Sequence, residues 1–449
     1  MGDRDDSEEA YRRALAVLKD ALKFGIEPSL AGIAALTRRL DAPQARYPCI
    51  QVAGTNGKSS TARFAAAFLH AQGKKVGLYT SPELVEYPER MELDGAVVSR
   101  VRFAEAVLVA EGAARDAVAA GEVEAVTEFE LLTAAALWLF ADEGVDVAVL
   151  EVGLGGRWDA TSIVAPQVAV VTGIDYDHTA ILGKNLEQIA AEKAAVIREG
   201  SVPVLGPGTA AAPAVREVFR ARCAEVAATP VMADPAATLR YPQAQRFPGY
   251  QHQNIAVALA AATAALGQEP RPEAVEQVLG TLSIPGRFEL LRDEPPLLID
   301  AAHNPQSART LAHALVERYG LDPATGLLAI FDTLLLGILS DKDAPGIIEA
   351  LTPLFAHVML TRSTSLRALP PEHLVPLVAP LSPHPPTTSP SVPEALATLT
   401  AQAAAVVATG SITIAGEVKA TLRPPLPLVT VHTPHCHSER SEGPSLRSG

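Results

Sequence analysis

Residues 49–60 read Cys49-Ile50-Gln51-Val52-Ala53-Gly54-Thr55-Asn56-Gly57-Lys58-Ser59-Ser60, a short apolar run that stops at a glycine-rich turn. A run of that length bounded by glycine reads as a buried strand, and Thr61 to Gln72 behind it has a helical pattern that Gly73 can end. Strand, loop and helix in succession aim backbone N–H groups and a helix dipole at one point, which is how phosphate oxygens are cradled. Gly54, Thr55, Asn56, Gly57 and Ser59 are therefore candidate phosphate-binding residues, and Lys58 supplies a point charge. Two residues rather than four separate Gly54 from the Gly57-Lys58 pair, so the loop is shorter than a standard P-loop and a chance glycine turn competes with it.

The same alternation continues outward. Val76 to Tyr79, Val145 to Leu150, Val168 to Val171 and Val202 to Leu205 are runs of strand length, separated by helical patterns such as Phe129 to Glu143 and Asn185 to Arg198. Alternating strands and helices imply a mostly parallel, doubly wound sheet. Ser283-Ile284-Pro285-Gly286-Arg287 breaks the helical pattern, and Leu297-Leu298-Ile299-Asp300 opens a second series. Leu327 to Phe331, Val358 to Thr361 and Ser411 to Ala415 read as its further strands, with Asp332 to Leu336 as an insertion after the first of these. The expected architecture is an N-terminal P-loop ATPase-like doubly wound α/β domain over 1–285 and a smaller Rossmann-like α/β domain over 286–423. Residues 424–449, rich in Pro, Ser, His and Arg without periodicity, are expected to form a disordered tail.

Bulk properties agree with a two-domain enzyme. A chain of 449 residues exceeds what one core usually serves. Its formal charge of -14 argues against broad nucleic-acid binding, which needs a basic face. Cys49, Cys223 and Cys436 are too few and too dispersed for a disulfide framework or a zinc site, which fits a reducing, cytoplasmic setting. No apolar run approaches the roughly 20 residues that a membrane span needs, and the acidic N-terminus lacks the basic start of a signal peptide.

Two strand ends carry candidate chemistry. Glu151 closes Val145-Asp146-Val147-Ala148-Val149-Leu150-Glu151, at the carboxyl end where such sheets bind ligands. A carboxylate there, with a loop serine and phosphate oxygens, suits a hard cation such as Mg²⁺; a solvent-facing Glu is the plain alternative. Gly153 to Gly156 permit close backbone approach of a ligand. His178 follows the strand at Val168 directly, among acids, which tilts it towards a ligand or catalytic role. Lys193, mid-helix among alanines behind an Asn185/Gln188 capping box, reads by itself as a surface lysine.

Taken together, several motifs resemble one family. Gly54-Thr55-Asn56-Gly57-Lys58 is similar to the nucleotide loop of the Mur ligase superfamily. Thr127-Glu128-Phe129-Glu130, the run from Glu151 to Thr161, and Asp300-Ala301-Ala302-His303-Asn304-Pro305 resemble its folate branch, the dihydrofolate synthase/folylpolyglutamate synthases. Asp177-His178-Thr179, Glu192-Lys193-Ala194, Tyr250-Gln251 with Asn254, Pro285 to Glu289 and Asp341-Lys342-Asp343 add to the match.

The resemblance implies an ATP-dependent acid–amino-acid ligase of folate biosynthesis. Such an enzyme adds L-glutamate to dihydropteroate or to a reduced folate through an acyl phosphate, releasing ADP and phosphate. It implies Mg²⁺ held by Ser81, Glu151 and His178, and a carbamylated Lys193 (N6-carboxylysine). Asn254, Arg287 and Asp300 would join the loop around ATP, and Lys58, Lys193, Asp300 and His303 would serve catalysis. Arg90, Thr127, Phe129 and Asp159 would lie on the pterin side, in a monomeric protein. The chain departs from the family pattern at Ser59, where a glycine is usual, at Ser162 for Asn, and at Ala301 and Ala195 for glycines. A peptidoglycan-type ligase and a non-catalytic nucleotide-binding protein are the competing readings.

Overall fold

The computed structural model describes residues 2–24 and 28–422; the tail expected over 424–449 lies outside them. Eight strands form the first sheet: β1 Cys49–Ala53, β2 Val76–Tyr79, β3 Met91–Leu93, β4 Ala96–Val97, β5 Val147–Glu151, β6 Val168–Gly173, β7 Val202–Gly208 and β8 Val231–Met232. Their order is β4-β3-β2-β5-β1-β6-β7-β8. Only the β2–β3 and β3–β4 pairings are antiparallel.

The central strands read as unbroken apolar runs because helices cover both faces. Alternate residues of β1 serve opposite cores: Cys49 joins Tyr11, Phe103 and Leu132 on one side, while Ile50 and Val52 join Phe64 and Val257 on the other. The chain leaves β1 towards β2 on one side and later crosses from β5 to β6 on the other. A crevice therefore opens at the carboxyl ends of these strands.

Six strands form the second sheet: β9 Glu289–Arg292, β10 Leu297–Ile299, β11 Thr333–Leu336, β12 His357–Leu360, β13 Thr387–Thr388 and β14 Val406–Thr409, in the order β13-β12-β11-β14-β10-β9. Here too both faces are covered, with Val407 in one core and Val406 and Ala408 in the other.

Two expectations are corrected in this domain. Thr333–Leu336 is no insertion but the central strand β11, fully buried and paired in parallel with β12 and β14. The run at 327–331 contributes only an isolated bridge, Leu321 to Leu328. Ser411 to Ala415 is not a strand either. The strand is β14, just before it; Gly410 turns the chain at φ 101°. Ser411 Oγ then accepts the N–H of Ile414 at 3.2 Å as the helix Ile412–Leu422 begins.

A segment of the first domain reaches into the second. Glu89 Oε2 accepts the N–H groups of Leu84 and Val85, both at 2.9 Å, and so holds the turn that follows Ser81. The Leu84 side chain packs on the core that contains Ile299, Ile414 and Val418. Its carbonyl oxygen presses on the helix Ile412–Leu422 at Gly416, where a Cβ would stand only 1.9 Å from it. Glycine is the one residue that lets the two domains approach this closely.

Candidate active site

One cleft of about 1110 Å³ runs between the two sheets. Every expected site residue except Gly54 lines it: the loop from Thr55 to Ser59, then Ser81, Arg90, Thr127, Phe129, Glu151, Asp159, His178, Lys193, Asn254, Arg287, Asp300 and His303. Gly54 sits just behind, offering its carbonyl to two lysines.

The phosphate loop is shaped by contacts that only glycine permits at two points. Gly54 (φ 146°) abuts Thr172 and Gly57 (φ 82°) abuts Asn254, with a Cβ at either falling within 2.3 Å of a side-chain oxygen. The loop is tied to the end of β6: Thr55 N donates to Gly173 O at 2.9 Å, and Thr172 Oγ1 donates to Asn56 O at 2.6 Å. Lys58 Nζ donates to the carbonyls of Gly54 and Thr55, both at 3.1 Å, so the lysine is folded back over its own loop. Desolvation pulls the Lys58 ammonium below the usual lysine range, with Glu151 and Asp177 opposing.

Glu151 is 1% exposed at the end of β5. Its Oε1 accepts Ser59 Oγ at 2.8 Å and its Oε2 accepts the N–H of Ser81 at 3.1 Å. The serine that replaces the expected glycine therefore faces the acidic strand end. Burial pushes the Glu151 carboxyl up, with nearby Lys58 as the main opposing charge. A buried carboxylate beside a loop hydroxyl offers oxygen donors of the kind a small hard cation takes, while no group of three or more His, Cys, Asp or Glu side chains that could hold a metal gathers among the described residues. His178 lines the same cleft in the left-handed region (φ 48°), ahead of the one-turn helix Thr179–Leu182. Desolvation lowers its imidazole, against the pull of Asp177.

Lys193 is not the surface lysine that its own helix suggests; it is 5% exposed. The helix ends at Ala194, short of Arg198, and lies against the loop after β5, with Gly156 packed on the backbone of Glu192 and Lys193. The Asn185 cap forms, but the Gln188 side chain turns to the N–H of Lys184 instead of completing a box. Lys193 Nζ donates to Gly54 O at 2.9 Å and has no salt bridge among the described residues. Burial, reinforced by the Lys58 charge, pulls its ammonium down to about 7.

The second domain contributes Asp300 and His303. Asp300 Oδ2 accepts the N–H of Phe288 at 2.8 Å and Oδ1 that of Ala302 at 2.8 Å; burial raises this carboxyl, against Arg287. His303 Nδ1 lies 2.9 Å from Ala301 O, so that nitrogen carries its hydrogen, and Nε2 points to Asp177 Oδ2 at 3.7 Å. Asp177 also meets Lys342 Nζ at 3.1 Å and Asn304 Nδ2 at 3.4 Å. Although burial works against it, the facing His303 imidazole and the charges of His178 and Lys342 hold the Asp177 carboxyl well below the usual range. Asn56 is a second bridge: it meets the Gln306 side chain and accepts Asn304 Nδ2 at 3.4 Å. Asp177 and Gln306 were not among the expected site residues, though Asp177 stands next to His178 and Gln306 follows the Asn304-Pro305 motif.

At the other end of the cleft, the roles are partly architectural. Thr127 caps the helix Glu128–Asp142 reciprocally with Glu130. The tip of the Phe129 ring abuts Gly153, where a Cβ would stand 2.6 Å from Cζ. Arg90 is paired with Glu83 and with Glu128 at 3.6 Å. Asp159 accepts the N–H groups of Leu154 and Thr161 at 2.9 and 3.0 Å, and burial raises its carboxyl.

Residues 52–203 match the Mur ligase middle domain and residues 286–412 match the Mur ligase glutamate ligase domain. The dihydrofolate synthase/folylpolyglutamate synthase of Mycobacterium tuberculosis is 37% identical over 380 residues, covering 77% of this chain and 76% of that protein. The structure of M. tuberculosis folylpolyglutamate synthase complexed with ADP superposes with a TM-score of 0.83 at 31% identity, over 94% of this chain and 100% of that one. The Yersinia pestis bifunctional folylpolyglutamate synthase/dihydrofolate synthase, complexed with AMPPNP and a Mn ion, superposes with a TM-score of 0.76 at 30% identity, over 92% and 98% of the two chains. Motifs, paired α/β sheets, the interdomain cleft and these matches agree: the chain belongs to the dihydrofolate synthase/folylpolyglutamate synthase family of the Mur ligases.

Proposed function

We propose that this protein uses ATP to join the carboxylate of a pteroyl substrate, dihydropteroate and/or a reduced folate, to the amine of L-glutamate. The observation that carries the reading is the convergence, in one cleft, of a phosphate loop and buried Glu151 from the first domain with Asp300 and His303 from the second. The inferred division gives residues 1–285 the nucleotide and pterin and residues 286–423 the glutamate side. Buried, unpaired Cys49 and Cys223 support a cytoplasmic protein, which we take to act as a monomer. No helix among the described residues is long and apolar enough to cross a membrane.

A carboxylate is a poor acyl donor, so phosphorylation by ATP must precede amide formation. The loop N–H groups and Lys58 hold the phosphates and offset charge as the phosphoryl group moves; Asn254 and Arg287 stand beside them. Ser81, Glu151 and His178 would hold Mg²⁺, which supplies Lewis-acid charge to the phosphate oxygens when bound. Arg90, Thr127, Phe129 and Asp159 orient the pteroyl arm. His303, held by Ala301 and facing Asp177, would serve catalysis from the second domain. Burial between the domains protects the acyl phosphate from water.

Lys193 as a carbamate belongs to this reading. A lysine pulled to about 7 offers the neutral amine that reacts with CO₂, and the adduct would replace a buried cation by an anion beside the loop. The test of the main reading is ADP release measured with each substrate omitted in turn. Release should require both the pteroyl carboxylate and glutamate; an equal rate without any pterin would overturn it.

A further inference from the structure

Resting on that reading, we propose that Gln51 is a positioning residue for the pteroyl substrate: it sets the direction of a hydrogen-bond chain that ends on Asp159 and keeps that carboxylate an acceptor facing the cleft. Gln51 does not line the cleft itself. It lies in the interior strand β1, between β5 and β6, and is 0% exposed. A buried carboxamide costs free energy there that an apolar side chain would not, and its Oε1 meets no partner among the described residues. Only Nε2 is engaged. It donates to Thr161 Oγ1 at 3.0 Å and to Ser162 Oγ at 2.8 Å, both in the short turn Ala160–Ile163.

The direction of the chain follows from the groups at its ends. Ser162 Oγ also meets the carbonyl of Gly156, which can only accept, so the single hydroxyl hydrogen of Ser162 is engaged there. Ser162 must therefore accept from Gln51, and this places Nε2, not Oε1, on that side of the carboxamide. The second Nε2 hydrogen points at Thr161 Oγ1. Thr161 thus keeps its own hydroxyl hydrogen for Asp159 Oδ1, at 2.5 Å. Asp159 accepts two more hydrogens from the backbone, from Thr161 N at 3.0 Å and Leu154 N at 2.9 Å. All of these bonds run towards the carboxylate.

Asp159 lines the cleft while being only 6% exposed. Burial pushes its carboxyl up, and the bond from the Thr161 hydroxyl leads those that oppose the rise. A pteridine edge carries amino and ring N–H groups, which need an acceptor, and an ionised one binds them more strongly than a neutral one. If the chain ran the other way, Thr161 would give its hydrogen to residue 51, and Asp159 would lose the donor that best holds its charge. Gln51 acts through Thr161 without touching the substrate.

The test uses Gln51→Met and Thr161→Val, which keep side-chain size and remove the N–H and O–H links, with their double variant, Gln51→Glu and Thr161→Ser. KM is measured for ATP, for glutamate and for whichever of dihydropteroate and tetrahydrofolate the parent turns over. Each of the two isosteric changes should raise the KM for the pteroyl substrate about tenfold and leave the other two within about twofold. The double variant should be no worse than the singles, since both cut one chain. Gln51→Glu, whose oxygens reverse the chain, should bind at least as poorly, and Thr161→Ser should restore parental KM. A parental pteroyl KM in Thr161→Val or Gln51→Met, at parental melting temperature, would overturn the proposal. So would losses that multiply in the double variant or that fall equally on ATP. Should Gln51→Met not fold, Thr161→Val against Thr161→Ser decides. A parental pteroyl KM in Asp159→Asn would instead overturn the placement of Asp159 on the pterin side, and ADP release that ignores the pteroyl substrate in the parent would overturn the activity.

Discussion

Replacing Gly416 by alanine adds one methyl group to the helix Ile412–Leu422, and its consequence can be worked from the Leu84 contact. In isolation the change favours the helix, since alanine exceeds glycine by about 1 kcal/mol in a helix interior. The new Cβ, however, would stand 1.9 Å from the Leu84 carbonyl oxygen, against a floor of 3.0 Å for real Cβ contacts, so 3.0 minus 1.9 leaves 1.1 Å to be opened. The obstacle is backbone on a turn held by Glu89, so the domains must part or the segment behind Ser81 must shift. A displacement of about 1 Å away from the chemistry can lower turnover by about a hundredfold, or about 2.7 kcal/mol of transition-state stabilisation. The assay is kcat/KM from coupled ADP release, beside a thermal melt. We expect kcat/KM to fall about a hundredfold with a melting temperature equal to or above the parent's. Gly280→Ala is the control, since that helical glycine has no atom within 4 Å of its would-be Cβ. A Gly416→Ala enzyme within threefold of the parent would refute the view that this contact sets the closed geometry.

Glu151→Gln keeps the shape that meets Ser59 and Ser81 but removes the charge, and should cost about a thousandfold in kcat, about 4 kcal/mol. Because burial already disfavours that charge, its melting temperature should not fall; near-parental turnover would exclude Glu151 from the metal site. For Lys193 the sign follows from its lowered ammonium. Between about 7 and the ordinary lysine range of about 10.4 the unfolded chain holds more protons than the folded one, so stability rises with pH across that window. Below it the buried ammonium weighs fully against folding. Lys193→Met should therefore be more stable than the parent at pH 6 in CO₂-free buffer, on the order of a few kcal/mol, with the advantage shrinking towards pH 10. An advantage independent of pH in a denaturant titration would contradict it. Lys193→Ala should lose most activity and regain part of it with added acetate, whose charge can stand in for the carbamate; a full rate for Lys193→Arg without bicarbonate would return the lysine to a structural role.

Local chemistry made much of the fold readable. Short apolar runs marked β1, β2, β5, β6, β7 and β10, because strands covered on both faces have no polar alternation to obscure them. The same property misled the reading at 327–336. Two adjacent apolar runs both qualify as buried strands, and only the pairing of Thr333–Leu336 with β12 and β14 selects the second. Ser411 to Ala415, with its β-branched residues, looked like a strand, but Ser411 starts a helix by bonding its hydroxyl to Ile414. Lys193 looked exposed because nothing local reports that Gly156 packs on its helix. The interdomain partners of Asn56 and Asp177 are separated from them by 126 to 250 positions, and no short-range pattern announces such contacts.

Asn56 carries a consequence of its own. The residue lies in the loop proposed to grip phosphates, and its side chain is also clasped by Gln306 and Asn304 across the cleft. Beside the Asp177–Lys342 ion pair and the Leu84 contact, Asn56 thus joins the loop to the other half through neutral amide bonds that each contribute only about 1 kcal/mol net. At this point of the cleft the clasp is slight enough to part and re-form. Engineering it into a strong salt bridge or a covalent staple would yield a sturdier molecule that releases its products too slowly to be useful.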